Sequence, residues 1–126
     1  MVLVFGGVYQ GKLTYALEYY KLSENEVYRC SDNCTTLPNN KIIIYEIDKW
    51  ILALIRADKN VPEAIKQFME ENKDAIVICN DVSCGIVPID ETLRKWREEV
   101  GRAITAIAAH SHEVTRLFCG IPTKVK

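Results

Sequence analysis

A chain of 126 residues, of which 48% are hydrophobic, can bury one ordinary core and is too short for two. Its 16 basic and 17 acidic residues leave a net charge of −1, which excludes a broad electrostatic attraction to nucleic acid or to an anionic membrane. The sequence therefore predicts a single domain over residues 1–126, in which any phosphate ligand is bound by local groups.

The first predicted element is a short apolar strand that runs directly into a glycine-rich loop. The strand covers Val2 to Phe5, and the loop and helix start that follow read Gly6-Gly7-Val8-Tyr9-Gln10-Gly11-Lys12-Leu13-Thr14. The G-x-x-x-x-G-K spacing is that of a phosphate-binding loop, in which backbone N–H groups surround a phosphate and the lysine reaches its outer oxygens. All nine residues are therefore candidates for nucleotide binding. Leu13 stands where such loops carry a hydroxyl that helps to hold Mg²⁺.

A second interpretation of the loop stays open. The glycines would then serve only a tight strand-to-helix turn, without any ligand. The position of the loop between a buried strand and an amphipathic helix favours the phosphate site.

The N-terminal apolar run and the cysteines indicate where in the cell the protein is located. The run stops at Gly6 and has no basic flank, so it is too brief for a signal peptide or a membrane span. The five cysteines lack C-x-x-C spacing, which argues against a zinc site and favours reduced thiols. The sequence predicts a cytoplasmic protein in which Cys79 and Cys119 are small core residues.

Strands and helices alternate along the rest of the chain. Runs rich in β-branched residues predict strands at Lys41 to Tyr45, Ala75 to Cys79 and Val114 to Phe118, with a weaker extended stretch at Glu26 to Arg29. Helical spacing predicts helices after the glycine loop, after the second strong strand, around Pro62, and from Asp90 to near His110. This order predicts a three-layer α/β fold of the P-loop NTPase type, with a mostly parallel sheet, helices on both faces, and ligands at the carboxyl ends of the strands.

Four sequence features, taken in order, carry a family resemblance. They are the glycine loop, the stretch Asn80-Asp81-Val82-Ser83-Cys84-Gly85-Ile86-Val87-Pro88, the later Gly101, and the ending Gly120-Ile121-Pro122. Together they resemble the adenosylcobinamide kinase / adenosylcobinamide-phosphate guanylyltransferase family of cobalamin biosynthesis, with its G-G-x-x-S-G-K-S loop, its asparagine-acid-x-G-x-G-I-V-P loop and its closing glycine-leucine-proline. The resemblance implies ATP or GTP with Mg²⁺, adenosylcobinamide as acceptor, and a homo-oligomer.

Departures from the family pattern narrow the implied activity. Family members carry a guanylylated histidine after the first helix, whereas residues 21–41 contain none, and His110 and His112 lie at the end of the long predicted helix. The family's aspartate after the second strong strand aligns with Tyr45, which leaves Glu46 and Asp48 as displaced acids. The resemblance therefore implies phosphoryl transfer from ATP or GTP to a cobinamide-type alcohol, without guanylyl transfer.

The predicted catalytic residues are Lys12 and Asp81. Lys12 would hold the nucleotide phosphates, and Asp81, with Glu46 and Asp48, would hold Mg²⁺ or orient the acceptor hydroxyl. The residues alone also permit a plainer interpretation, with Glu46 and Asp48 as acids at a helix start and Asp81 as a turn residue. Three functions stay open: a kinase, a nucleotide-binding protein without catalysis, and a scaffold subunit that binds no nucleotide.

Overall fold

The computed structural model describes residues 1–8, 10–82 and 90–126. Within these ranges the strands are β1 (Val2–Gly6), β2 (Val27–Arg29), β3 (Ile43–Tyr45), β4 (Ile76–Asn80), β5 (Glu113–Phe118) and β6 (Ile121–Lys124). The α-helices of the same ranges are α1 (Lys12–Tyr19), α2 (Ile47–Arg56), α3 (Val61–Glu71) and α4 (Glu91–His110), and a 3₁₀ turn at Glu24–Glu26 precedes β2.

The strands of the described residues form one sheet in the order β2-β3-β4-β1-β5-β6. The pairs from β2 to β5 are parallel, and β6 returns antiparallel to β5 as a hairpin. Since β1 pairs with β4 on one side and with β5 on the other, the glycine loop leaves from the middle of the sheet. The predicted α/β fold with a mostly parallel sheet is confirmed.

Both faces of the sheet are covered, because neighbouring residues of a strand point to opposite sides. Leu3 and Val77 belong to a core cluster with residues of α2, α3 and α4. Val4 and Ile78, their neighbours in sequence, belong to a second cluster with Ala16 of α1. This arrangement gives the helix, sheet and helix layers of the predicted fold.

Side-chain caps accompany two of the predicted helix starts, those of α3 and α4. The Asp90 side chain accepts a hydrogen bond from the Leu93 N–H at 3.1 Å, and Asn60 accepts one from the Glu63 N–H at 3.1 Å before the proline in the first turn of α3. Such caps satisfy N–H groups that a helix leaves without internal partners.

Apart from shifts of one residue at the ends of β1, β2, β4 and β5, the structure differs from the sequence predictions at three places. Strand β3 begins at Ile43 rather than at Lys41. Strand β6 was not predicted, because all four of its residues are exposed and no apolar pattern marks it. The prediction that Cys119 is a core residue is wrong, since it lies exposed in the β5–β6 turn, whereas Cys79 is fully buried as expected.

No helix within the described ranges has the length and apolar character needed to cross a membrane.

Candidate functional site

A cavity of about 820 Å³ opens at the carboxyl ends of the parallel strands, beside the glycine loop. It is the place at which this class of sheet binds ligands. Its walls come from the loop and the start of α1, from the ends of β2, β3 and β4, and from α2 and α4: Val8, Gln10, Gly11, Lys12, Leu13, Thr14, Arg29, Asp32, Tyr45, Glu46, Asp48, Lys49, Leu52, Asn80, Val82 and Trp96.

Backbone geometry holds the glycine loop against the sheet. A Cβ atom at Gly6 would overlap the carbonyl oxygen of Leu117 on β5, so the strand end tolerates no side chain there. Gly11, which precedes α1, adopts the left-handed φ of 82° that glycine reaches without strain. The first N–H groups of α1 lack partners inside the helix, and the positive end of its dipole lies at the cavity wall.

Lys12 is buried, and its ammonium group turns back into the loop. Its Nζ donates a hydrogen bond to the Gly7 carbonyl oxygen at 2.6 Å, and the residue is 4% exposed. Burial lowers the pKa of Lys12, while the nearby negative charges of Asp48 and Glu46 act in the opposite direction. The Lys12 amino group therefore lies against the backbone of the glycine loop.

Asn80, at the end of β4, joins the two acids that follow β3. Its backbone N–H donates to Asp48 Oδ1 at 3.1 Å, and its side-chain amide donates to Asp48 Oδ2 and to Glu46 Oε2, both at 3.3 Å. Glu46 also forms an ion pair with Lys49, whose Nζ lies 3.1 Å from Glu46 Oε2. Glu46 and Asp48 stand two positions apart in the sequence, and the side-chain amide of Asn80 contacts both carboxylates.

Asp48 is a buried acid, and its proton is held more firmly than that of an exposed aspartate. The residue is 2% exposed, and burial raises the pKa of its carboxyl group, while the hydrogen bonds from Asn80 act in the opposite direction. Glu46 precedes α2 in the left-handed conformation with φ 60°, which is costly for a residue other than glycine. In this conformation the Glu46 carboxylate lies beside the Asn80 amide and the Lys49 ammonium group.

The chain matches the profile of the family described as cobinamide kinase / cobinamide phosphate guanyltransferase over residues 32–125. The chain belongs to this family. The resemblance drawn from its motifs is thereby confirmed, and a kinase- or guanylyltransferase-like role with nucleotide in cobalamin biosynthesis is supported. No curated protein matched the chain.

The match to the cobinamide kinase / guanyltransferase family covers one part of the candidate site and leaves out another. Glu46, Asp48, Asn80 and Asp81 lie inside the matched range, whereas the glycine loop precedes it. The family match therefore covers the segments that carry the acids, whereas the loop is supported by its spacing and its geometry.

The structure describes the first three residues of the family's middle motif, Asn80 to Val82. The Asp81 N–H donates to the Gly6 carbonyl oxygen at 2.7 Å, which ties the end of β4 to the start of the glycine loop. Asp81 is half-buried, and among the described residues the cavity wall includes its neighbours Asn80 and Val82 but not Asp81 itself. Two sequence predictions, Tyr9 as a nucleotide contact and the motif at 83–88, lie outside the described residues.

Several parts of the cavity wall were missed by sequence reasoning, among them Trp96 and Arg29. Trp96 on α4 is half-buried and donates from Nε1 to the Asp48 carbonyl oxygen at 2.7 Å. Arg29 lies over the Tyr45 ring at 5.0 Å from its centre. Asn80 had a signal, since it opens the family's middle motif, but the helical spacing of Trp96 looks the same for a core residue and for a cavity wall.

Proposed function

We propose that this chain binds ATP or GTP in the cavity beside the glycine loop and transfers a phosphoryl group to a cobinamide-type alcohol. The observation that carries the proposal is that Lys12, the N-terminus of α1 and the Glu46–Asp48–Asn80 group all line one cavity. A cation, a helix start and acids around one space are the parts that phosphoryl transfer uses.

In the proposed complex the phosphates replace the internal partner of Lys12. Its ammonium would exchange the Gly7 carbonyl oxygen for phosphate oxygens, which make stronger, charge-assisted hydrogen bonds. The N–H groups at the start of α1 would bind the same phosphates. Gly6, Gly7, Val8, Tyr9, Gln10, Gly11, Lys12, Leu13 and Thr14 form the proposed nucleotide-binding segment.

A Mg²⁺ ion at this site would be held largely by phosphates and water. Within the described ranges no group of three histidine, cysteine, aspartate or glutamate side chains could hold a metal ion. Mg²⁺ in nucleotide sites, however, commonly takes only one or two protein carboxylates. We propose Glu46 and Asp48, with Asp81, for that role. When bound, Mg²⁺ would neutralise charge on the phosphates.

Asp48 and Asp81 are the proposed groups that orient the acceptor hydroxyl. Because burial raises the pKa of Asp48, its carboxylate accepts a proton more readily than an exposed aspartate does. Asp81 follows Asn80 directly and is tied to the glycine loop through its backbone. Either acid would therefore be held at a fixed distance from the bound phosphates.

The positions of the histidines support the loss of guanylyl transfer. The His112 N–H donates to the Met1 carbonyl oxygen, which places it at the start of β1, whereas the glycine loop follows the other end of that strand. The length of β1 separates the two ends by roughly 16 Å. His110 lies in the last turn of α4, where a cation complements the helix dipole.

A second candidate function is nucleotide binding without catalysis. Leu13 replaces the hydroxyl that would bind Mg²⁺, and both oxygens of Asp48 are already engaged by Asn80. Each feature weakens the metal corner of the site and leaves the phosphate-binding corner intact.

Titration with ATP or GTP tests binding, with the indole fluorescence of Trp96 as the signal. We expect a saturable change that persists in Trp50→Phe and disappears in Trp96→Phe, because Trp96 lines the cavity and Trp50 is buried elsewhere. Lys12→Met should weaken nucleotide binding by about tenfold or more. Lys41→Met is the matched control, since Lys41 also donates to a backbone carbonyl oxygen but lies outside the cavity wall.

Assay of adenosylcobinamide phosphorylation with Mg²⁺ then separates the two candidates. Phosphorylated product that is lost in Lys12→Met establishes the kinase. Binding without turnover establishes the second candidate. Absence of binding by the wild-type chain at millimolar nucleotide would overturn both.

A further inference from the structure

A separate crevice lies between α3 and α4, away from the glycine loop. It has a volume of about 300 Å³, and its apolar wall includes Val61, Ile65 and Met69 of α3 and Ala103 and Ala106 of α4. Among the described residues it shares no lining residue with the glycine-loop cavity. Its size lies at the lower end of the range for small-molecule sites, so it suits a small ligand.

Glu99 gives this apolar crevice one buried acid. The residue lines the crevice and is 8% exposed. Its Oε1 accepts a hydrogen bond from the Arg102 guanidinium at 2.9 Å, whereas Oε2 is buried without a hydrogen-bond partner among the described residues. A buried carboxylate oxygen that lacks a donor is unfavourable, and an additional donor at this carboxylate would relieve the cost.

The existing partner of Glu99 is easily exchanged. The Arg102 side chain is 68% exposed, so it can swing into water with little loss of solvation. An ammonium group carries three N–H donors and can serve both oxygens of one carboxylate. A ligand that brought such a group into the crevice would therefore compete with Arg102 for Glu99.

We propose that the α3–α4 crevice binds a small primary alkylammonium ion. The ammonium group would bind the Glu99 carboxylate in place of Arg102, and the alkyl chain would pack on Ile65, Met69 and Ala103. The carboxylate selects a cation, and the apolar wall selects an alkyl body. Lys66 also lines the crevice, but within the described ranges the ion pair of Glu99 is with Arg102 and not with Lys66.

Methyl NMR of the full chain with labelled methionine tests this site directly. The chain contains two methionines, Met1 and Met69, so the crevice has one reporter and the strand start supplies an internal reference. We expect n-butylammonium to shift the Met69 methyl resonance saturably and to leave Met1 unchanged. n-Butanol, which has the same alkyl chain without the charge, should bind at least about tenfold more weakly.

Three variants test which side chains determine the affinity for n-butylammonium. Glu99→Gln should weaken n-butylammonium binding by about tenfold or more, because it removes the charge and keeps the shape. Arg102→Ala should tighten binding, because it removes the competitor, and Lys66→Ala should leave it within about twofold of the wild type. The opposite signs for Glu99 and Arg102 distinguish this mechanism from general destabilisation of the helices.

A stationary Met69 resonance, equal binding of n-butanol, unchanged affinity in Glu99→Gln, or weaker binding in Arg102→Ala would each overturn the proposal. If Glu99→Gln does not retain the wild-type methyl spectrum, the Arg102→Ala titration and the n-butanol comparison decide the question.

Discussion

Asp48 combines a buried carboxylate with a place in the wall of the candidate site. Its two oxygens accept hydrogen bonds from Asn80, and its own carbonyl oxygen accepts one from Trp96. Even so, burial outweighs these favourable bonds and raises the pKa of the carboxyl group above 3.8. Asp48 therefore both fixes α2 against β4 and α4 and contributes a carboxyl group to the cavity.

The raised pKa of Asp48 gives folding a definite pH dependence. Above pH 3.8 the folded chain retains this proton more readily than the unfolded chain does, so its contribution to the free energy of unfolding falls as the pH rises through the folded-state pKa. We expect Asp48→Asn to remove this decline. The difference in unfolding free energy between variant and wild type should therefore grow in favour of the variant as the pH rises across that window.

Urea unfolding at a series of pH values measures this difference. Asp74→Asn, at an exposed acid of the loop before β4, is the control. A difference for Asp48→Asn that stays constant with pH would contradict the assignment of the raised pKa to this group.

At the scale of elements, the β5–β6 hairpin supports the glycine loop. Its two turn residues, Cys119 and Gly120, have φ values of 52° and 73°, as in the tight turns that prefer Asn-Gly. The Cys119 N–H donates a hydrogen bond to the Gln10 side-chain oxygen. Gln10 stands where the family pattern has a serine, and its longer side chain reaches the hairpin turn.

Cys119→Asn should stabilise the hairpin, because asparagine adopts the left-handed conformation more readily than cysteine does. We expect a gain of about 1 kcal/mol in the free energy of unfolding, with the backbone hydrogen bond to Gln10 retained. Chemical denaturation followed by circular dichroism measures the gain.

Cys34→Asn provides a matched control for the same exchange of residue types. Cys34 lies in the loop after β2 and is not among the described residues with a positive φ. Equal changes in stability for the two variants would show that the turn conformation of Cys119 is not the cause.

At the scale of the molecule, the central strands join the two halves of the core. Leu3 of β1 packs in the cluster with α2, α3 and α4, while Val2 and Val4 pack in the cluster with α1. Strand β4 divides its side chains in the same way, with Val77 on one face and Ile78 on the other. Neither cluster can lose its strands without exposing the other, so we propose that residues 1–126 form one domain.

One cooperative unfolding transition is therefore expected for the whole chain. Both tryptophans belong to the cluster with α2, α3 and α4, so their fluorescence follows that side of the sheet, whereas far-ultraviolet circular dichroism follows all helices and strands. The two signals should give the same midpoint in urea. Separate midpoints would show that the α1 side unfolds independently. The homo-oligomer that the family resemblance implies stays a prediction.

Features set by local spacing could be predicted from the sequence. The order of strands and helices follows from the pattern of apolar residues. The start of α4 at Asp90 and the position of Lys12 at a helix start follow from residues a few positions apart. The family could be identified for a similar reason, since its motifs are short contiguous segments in a fixed order. Strand β6 escaped prediction because the same signal is missing from an exposed edge strand.

The sequence by itself determined the fold class, the family and the phosphate-loop candidate. Tertiary structure alone decided that Glu46 and Asp48 both contact Asn80, and that Trp96 donates to the Asp48 carbonyl oxygen 48 residues away. It also placed Glu99 in the wall of an apolar crevice. Contacts of this kind depend on how parallel strands and distant helices come into register. No local pattern records that register, because it results from packing the whole core.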